Sequence, residues 1–323
     1  YTLPHQDWQH KGSATDFTDE EYYTTLHKTL RMEELVENHT RIIKQYQGDR
    51  KVGLAVDEWG TWYDVEPGTN PGFLYQQNTM RDALVAAINL NIFNNHCDTV
   101  CMANIAQMVN VLQAMILTEG SKMVLTPTYH VFEMYKGHQG AKQLESYAET
   151  TLLNDDDQAV PDLHVSASQQ ADGSILVTAA NLNDTAALPV TCMLGGAKPT
   201  SVTARVLAGA PAAHNTFAAP EQVAPAALNA SLTAVNAALV QLSQVPTDGM
   251  TDEELNAHNA QIAALNAQKA QLEAGISQAQ AQKAQMEQQL SQLEAVSAAT
   301  IGESKRQLDQ GRADYRSGSA QLA

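Results

Sequence analysis

A short apolar run bracketed by two helix-period segments limits the fold of this chain more than any other feature. The run is Val52, Leu54, Ala55 and Val56, interrupted only by Gly53. Wholly apolar runs of this length are strands of parallel sheets covered on both faces. The segment before it opens on a capping box, Thr18 with Glu21, and carries Leu26, Leu30, Leu35, Ile42 and Ile43 at helical spacing. The segment after it, from about Thr79 to Asn94, has Leu84, Ile88 and Ile92 on one face. "DTVCMANI", residues 98–105, is expected as a second strand, followed by a third helix through Val109, Leu112 and Ile116. Thr126 and Pro127 start a further helix that stops at Gly137, with proline in the first turn and glycine just past the end. Strands alternating with helices at this rhythm imply βα units and a parallel sheet.

The period then changes twice. Over about residues 162–217, Leu163, Val165 and Ala167 alternate with polar neighbours, "ADG" at Ala171–Gly173 makes a hairpin turn, and Ile175 and Val177 resume the alternation. Leu188, Val190, Cys192 and Leu194 form another such run before Gly195 and Gly196, then Val202, Ala204 and Val206. Short antiparallel strands of this kind indicate a β-sandwich. After about Ala226 the chain is rich in Ala, Gln and Leu. Leu232, Val235, Leu239 and Leu242 fall at three-four spacing, residues 245–250 form a turn, and Thr251 with Glu254 makes a second capping box. A heptad seam comes next: Ile262, Leu265, Lys269, Leu272, Ile276, Ala279, Lys283, Met286, Leu290 and Leu293. A helical hairpin or coiled coil is expected, with self-association weakened by Lys269 and Lys283.

With 323 residues, 44% of them hydrophobic, the chain can bury a real core. A net charge of −17 disfavours nucleic-acid binding, which needs clustered Lys and Arg. Cys97, Cys101 and Cys192 are too few for a disulfide framework, so a reducing, cytoplasmic compartment is expected. His96, Cys97 and Cys101 could suggest a metal site, but zinc needs four placed ligands and no second pair exists, so Cys97 and Cys101 are read as small core residues. Met102, Met108 and Met115 are read as core filling, and His5, His10 and His27 as solvated. No apolar run is long enough to span a bilayer. The opening "YTLPHQDWQHKG" lacks an initiator Met and the regions of a signal peptide, and reads as the middle of something longer.

The strand at Val52–Val56 ends on Asp57 and Glu58, and acids are rarely buried without a partner. A strand that simply surfaces would explain them. The neighbouring residues favour a site: Trp59, Trp62 and Tyr63, with Asn104 and Gln107 at the end of the next strand. Aromatic faces stack on sugar rings, and Asn and Gln hydrogen-bond sugar hydroxyls. Side chains alternate along a strand, so Asp57 and Glu58 cannot share a direction.

The blocks "VDEWGTWYDVEPGTNPGFLYQQNTMRDALVAA", "NIFNNHCDTVCMANIAQMVNVLQAMILTEG" and "MVLTPTYHVFEMYKGHQGA" resemble the C-terminal part of glycoside hydrolase family 51, chiefly α-L-arabinofuranosidases. The resemblance covers about residues 1–228, and "HNTF" at His214–Phe217 fits the family's C-terminal sandwich. It implies the last strands and helices of a (β/α)8 barrel over residues 1–150 and a partial β-sandwich over 151–227; the helical hairpin or coiled-coil tail over 228–323 departs from the family, whose sandwich continues with further strands. The resemblance implies a retaining double displacement on arabinose-containing oligosaccharides, without cofactor or metal. It assigns Glu58 as the nucleophile, Gln107 and Tyr1 as sugar contacts, and Trp59 and Trp62 as pocket walls. The family's acid/base lies in a "GNE" motif, and no Asn–Glu pair occurs in these 323 residues. The expectation is therefore a fragment that is hydrolytically silent alone, with Asp64 and Glu66 the first substitutes to consider. A non-catalytic coiled-coil or fusion protein with a vestigial barrel is the alternative. The end "ESKRQLDQGRADYRSGSAQLA" is similar to coiled-coil inserts of bacterial permeases.

Overall fold

The computed structural model describes residues 1–5, 8–154, 158–196, 199, 201–228, 251, 253–267, 269, 305–307 and 310. The chain divides into two compact units, one of Tyr1–Pro199 with Arg205–Leu228, the other of Thr200–Ala204 with Asn229–Ala323.

In the first unit, α1 (Asp19–Tyr46) starts at the expected capping box: the Glu21 N–H donates to the Thr18 hydroxyl at 3.2 Å, and Glu21 accepts the Thr18 N–H at 2.8 Å. Its buried stripe includes Tyr22, Leu26, Thr29 and Val36. β1 (Leu54–Trp59) begins two residues later than Val52, which is exposed, and continues through both acids. α2 (Met80–Asn95) is buried on nearly every side, as a helix at the centre of a core must be. β2 (Val100–Ile105) pairs with β1 in parallel. Leu54, Val56, Ala103 and Ile105 pack against the core built on α2.

The expected third helix is absent. Asn110 and Leu112 have φ of 60° and 51°, left-handed values that no α-helix interior accepts. Asn110 instead bonds across the loop: its Oδ1 accepts the Thr118 N–H at 2.7 Å and its Nδ2 donates to the Thr118 hydroxyl at 2.8 Å. A short polar side chain competing for backbone groups is the usual way a helical pattern is overridden. Ile116 therefore opens a hairpin, β3 (Ile116–Glu119) with β4 (Lys122–Leu125). α3 (Pro127–Tyr135) has Thr126 as its N-cap and proline in its first turn, and one 3-10 turn carries it past Gly137 to His138.

β5 (Lys142–Leu144), β8 (Leu163–Gln169) and β9 (Ile175–Asn181) form an antiparallel sheet, with the hairpin turn at the expected "ADG". β6 (Leu152–Leu153) pairs with β7 (Val160–Pro161), and β10 (Ala204–Val206) with β11 (Ala226–Leu228). Residues 188–194 form no ladder, and Val190 and Met193 are exposed there; alternation without a neighbouring strand edge gives no strand.

The face of β8–β9 turned to α2 is the polar one, opposite to the expectation from Leu163, Val165 and Ala167. Ser166, Ser168 and Thr178 are buried. The reason is the row of asparagines on α2. The Asn91 Oδ1 accepts the Ser166 and Thr178 hydroxyls, both at 2.9 Å, and Asn95 Nδ2 donates to the Val165 carbonyl at 3.1 Å. Asn91 Nδ2 donates to the His164 carbonyl at 3.0 Å. His138 joins the layer through Ser168 (2.8 Å) and Thr178 (3.1 Å).

Burial in this layer pushes the His164 imidazole down to about 4 and lowers that of His138 as well. The His164 ring is therefore neutral in the folded chain near pH 6, whereas an unfolded chain takes up a proton there below about pH 6.5. Stability should therefore be full above pH 6.5 and fall as the pH drops toward 4, with His164 contributing up to about 3 kcal/mol of the loss. Urea midpoints between pH 7 and 4.5 measure it. His164→Gln should flatten that slope; an unchanged slope would refute the buried-neutral account.

In the second unit, residues 253–267 are helical after the Thr251–Glu254 capping box, in which the Thr251 N–H donates to Glu254 at 2.9 Å. Ile262, Leu265 and Lys269 are less exposed than their neighbours. The remaining expected features of the tail, Leu232 to Leu242, the turn at 245–250 and the seam from Leu272 to Leu293 including Lys283, lie outside the described residues.

Candidate active site

β1 is not a regular strand at its end. Val56 pairs with Ala103 and Trp59 with Ile105, so three steps on β1 are matched by two on β2. The extra residue is a β-bulge. Val56 faces the core, and the bulge resets the alternation so that Trp59 faces it as well. Glu58 and Asn104, one residue before the core-facing partners Trp59 and Ile105, then share the opposite face. Both are exposed, as is Gln107, two residues beyond the end of β2. The turn into Gln107 is fixed by the Ala106 N–H donating to the Trp59 carbonyl at 2.8 Å.

The N-terminal segment lies beside this strand end. The Thr2 N–H donates to the Gly60 carbonyl at 2.8 Å, and the Trp62 N–H donates to the Thr2 carbonyl at 3.1 Å. That docking sets the Tyr1 phenol beside the Glu58 carboxylate. Partial burial and then the neighbouring Glu58 carboxylate raise the Tyr1 phenol above its ordinary value. The Tyr1 and Trp62 rings meet edge-on at 5.0 Å, and Trp8 meets Trp62 at 5.3 Å. Lys11 Nζ lies 5.9 Å from the centre of the Trp62 ring. Glu58, Tyr1 and Trp62 thus form one cluster.

Trp59 is not in that cluster. It is 1% exposed, stacked on Phe132 at 5.9 Å with 7° between planes, and edge-on to Phe93. The expectation that it shapes the pocket is corrected: the bulge turns its ring into the core. Asp64 accepts the Lys11 and Gly12 N–H groups, both at 3.2 Å, and Glu66 accepts the Gln77 N–H at 3.0 Å. Both carboxylates are occupied holding loops.

Beneath the strand end is a buried polar network that no sequence motif announces. Thr61, Gln76, Asp82 and Gln113 are at most 1% exposed. Close by, Arg81 is fully buried with its guanidinium between Phe17 (3.7 Å) and Tyr63 (4.2 Å), and its Nη2 donates to the Ser13 carbonyl at 2.9 Å. The available signals were a Thr79–Asp82 capping box at the start of α2 and a lone glutamine in the apolar stretch "VLQAM".

A family model of the alpha-L-arabinofuranosidase C-terminal domain matches residues 57–246, more than half of the chain. The chain belongs to the alpha-L-arabinofuranosidase C-terminal domain family. An intracellular exo-alpha-L-arabinofuranosidase of Bacteroides ovatus is 44% identical to it over 218 residues, 67% of this chain and 42% of that protein. The crystal structure of a GH51 arabinofuranosidase from Xanthomonas axonopodis pv. citri is similar with a TM-score of 0.64 and 46% identity, over 71% of this chain and 46% of that one. The alpha-L-arabinofuranosidase of Thermotoga maritima, solved as an arabinose complex, gives 0.58 and 26%, over 66% and 46%. The chain spans less than half the length of these relatives. The arabinofuranosidase C-terminal domain match takes in Glu58, Asn104 and Gln107, whereas Tyr1 and α1 precede it.

Several side chains of this arabinofuranosidase family member lie elsewhere than expected. Cys97 and Cys101 are exposed, not core: Cys97 follows α2 in a turn and Cys101 is on the exposed side of β2; Cys192 is exposed as well. Met102, on β2, and Met108, in the loop after it, are exposed too. His27 is half-buried, with Nδ1 3.2 Å from the Ala159 carbonyl, and His5 pairs with Glu21 at 2.8 Å. His96 hydrogen-bonds Glu33. No helix among the described residues is long and apolar enough to cross a membrane.

Proposed function

We propose that this chain is the part of a retaining α-L-arabinofuranosidase that supplies the nucleophile, Glu58, with Tyr1, Asn104, Gln107 and Trp62 holding the sugar. The observation that carries the reading is the placement of Glu58, on the exposed face of a bulged parallel strand, beside the docked Tyr1 and Trp62. In this reading the Tyr1 phenol orients one carboxylate oxygen during the reaction and leaves the other free to attack. Glu58 adds to the anomeric carbon as the glycosidic C–O bond breaks, and water then cleaves the resulting ester. A second carboxyl about 5–5.5 Å away protonates the leaving oxygen and later activates the water. Asp64 and Glu66 do not take that role in this reading, since each already accepts backbone N–H groups.

Terminal α-L-arabinofuranosyl groups of arabinan and arabinoxylan oligosaccharides are the proposed substrates, and the names of the Bacteroides ovatus and Streptomyces lividans relatives, both intracellular exo-acting arabinofuranosidases, support that class and an intracellular site. The parallel β1–β2 pair flanked by α1 and α2 supports reading residues 1–150 as the last strands and helices of a (β/α)8 barrel. The β5–β8–β9 sheet supports a partial sandwich over 151–227. The tail, 228–323, is proposed as a helical hairpin or coiled coil that self-associates weakly, because Lys269 and Lys283 would each desolvate a charge at the seam. Sedimentation of the chain over a range of concentrations should show a reversible mass increase. A mass that stays constant at the highest concentration removes this part of the reading.

The nucleophile is tested with a 2-deoxy-2-fluoro-α-L-arabinofuranosyl fluoride. Fluoride leaves without protonation, so a carboxylate alone can form the ester: the Glu58 Oε–C1 bond forms, C1–F breaks, and the electron pair departs with fluoride. Mass spectrometry of the digested chain should find the sugar on Glu58. Labelling at any other residue, or none, rejects the assignment.

A further inference from the structure

The chain after Glu58 is held from below by side chains that have no access to a sugar. The Thr61 N–H donates to Gln113 Oε1 at 2.9 Å, and the Thr61 hydroxyl donates to Asp82 Oδ1 at 2.7 Å. Gln76 Nε2 donates to the same hydroxyl at 3.1 Å, while its Oε1 accepts the Tyr63 N–H at 2.8 Å. The holders are themselves fixed. The Asp82 Oδ2 accepts the Thr79 N–H at 2.8 Å at the start of α2, and Gln113 Nε2 donates to the Asp82 carbonyl at 2.7 Å. Gly60 permits the close approach: its φ is +139°, and a Cβ there would lie 3.3 Å from Gln113 Oε1.

Two routes lead from Thr61 to the carboxylate. One is covalent, back through Gly60 and the core-anchored Trp59. The other runs through space, because Thr2 is bridged to Thr61 and bonded to Gly60 and Trp62, and the residue before Thr2 is Tyr1, whose ring meets Trp62 at 5.0 Å in the cluster with Glu58. We propose that Thr61, gripped by Asp82 and Gln113, is the positioning residue that sets Glu58 against Tyr1. The inference rests on the reading of Glu58 as the nucleophile. Loosening Thr61 shifts the carboxylate relative to Tyr1 and to the anomeric carbon, which slows attack more than it weakens binding.

The test uses the 323-residue chain and the fluorosugar fluoride, measuring the capture rate at saturation and the half-saturating concentration. Thr61→Val keeps the shape and loses the hydroxyl. It should slow saturated capture about 10- to 100-fold, the cost of a small misplacement, with little change in half-saturation. Thr61→Ser, which restores the hydroxyl, should recover most of the rate. In a Tyr1→Phe background the effect of Thr61→Val should shrink, since Thr61 acts in part through where Thr2 sets that phenol; additive losses would mean a merely structural role. Gln113→Met removes the grip on the Thr61 N–H and gives the same rate-without-affinity pattern should Thr61→Val not fold. Capture of the parent chain at Glu58 together with an undiminished saturated rate in the folded variants overturns the positioning role and leaves the nucleophile standing. No capture by the parent chain overturns both.

Discussion

Glu58→Gln should slow fluoride release from the activated arabinofuranosyl fluoride by roughly 10⁴–10⁶-fold, the size of effect seen when a covalent nucleophile is removed. The amide cannot form the ester, and it offers Tyr1 a neutral oxygen in place of a carboxylate. Because Glu58 is exposed, the substitution should leave the near-ultraviolet circular dichroism of the chain unchanged. Asp57 is the internal control. It lies in the same bulge and is exposed as well. Asp57→Asn should cost less than about tenfold, since it removes no bond to the reacting carbon. A fluoride-selective electrode reads both variants. If the two were equally damaged, the chemistry could not be assigned to one acid over the other.

Trp59→Ala should destabilise the chain by about 3–5 kcal/mol, as for other buried large aromatics. The ring is stacked on Phe132 and edge-on to Phe93, so truncation opens a cavity between α2, α3 and the sheet. Trp62→Ala, two residues past Gly60, should cost about 1 kcal/mol or less in stability, because its half-buried ring is not part of that core, yet it should weaken sugar binding. Urea unfolding separates the two. Equal losses of stability would contradict the division of labour that the bulge creates.

Helix starts were readable because they depend on neighbours in sequence. Thr18 with Glu21 and Thr126 with Pro127 opened helices where local hydrogen-bonding logic put them. The segment around Val109, Leu112 and Ile116 was not, because its three-four spacing is a weak signal and the deciding bonds run from Asn110 to Thr118 and from Leu112 to Leu74. The polar face of β8–β9 was hidden for a related reason. Ser166 and Thr178 can be buried only because Asn91, more than seventy residues earlier, supplies their partner. The acid at the strand end was legible, and so was the tyrosine that meets it. The Thr61–Asp82–Gln113 network was not, since polar residues in apolar stretches carry no sign of which partner satisfies them.

The bulge at the end of β1 gives this strand a phase shift. In a regular strand continuing from Leu54 and Val56, Glu58 would take the core side and Trp59 the solvent side, each in the wrong medium. The extra residue corrects the phase, and the sequence at that point is two acids in a row. Deleting Asp57 would restore an even ladder and leave glutamate and tryptophan on their present sides. Deleting Glu58 would do the same with aspartate in its place, one methylene shorter. The doubled acid therefore makes this strand end tolerant of losing either acid, whereas a further insertion keeps tryptophan and carboxylate on their sides only if the ladder also slips by two residues, which takes Trp59 away from Ile105.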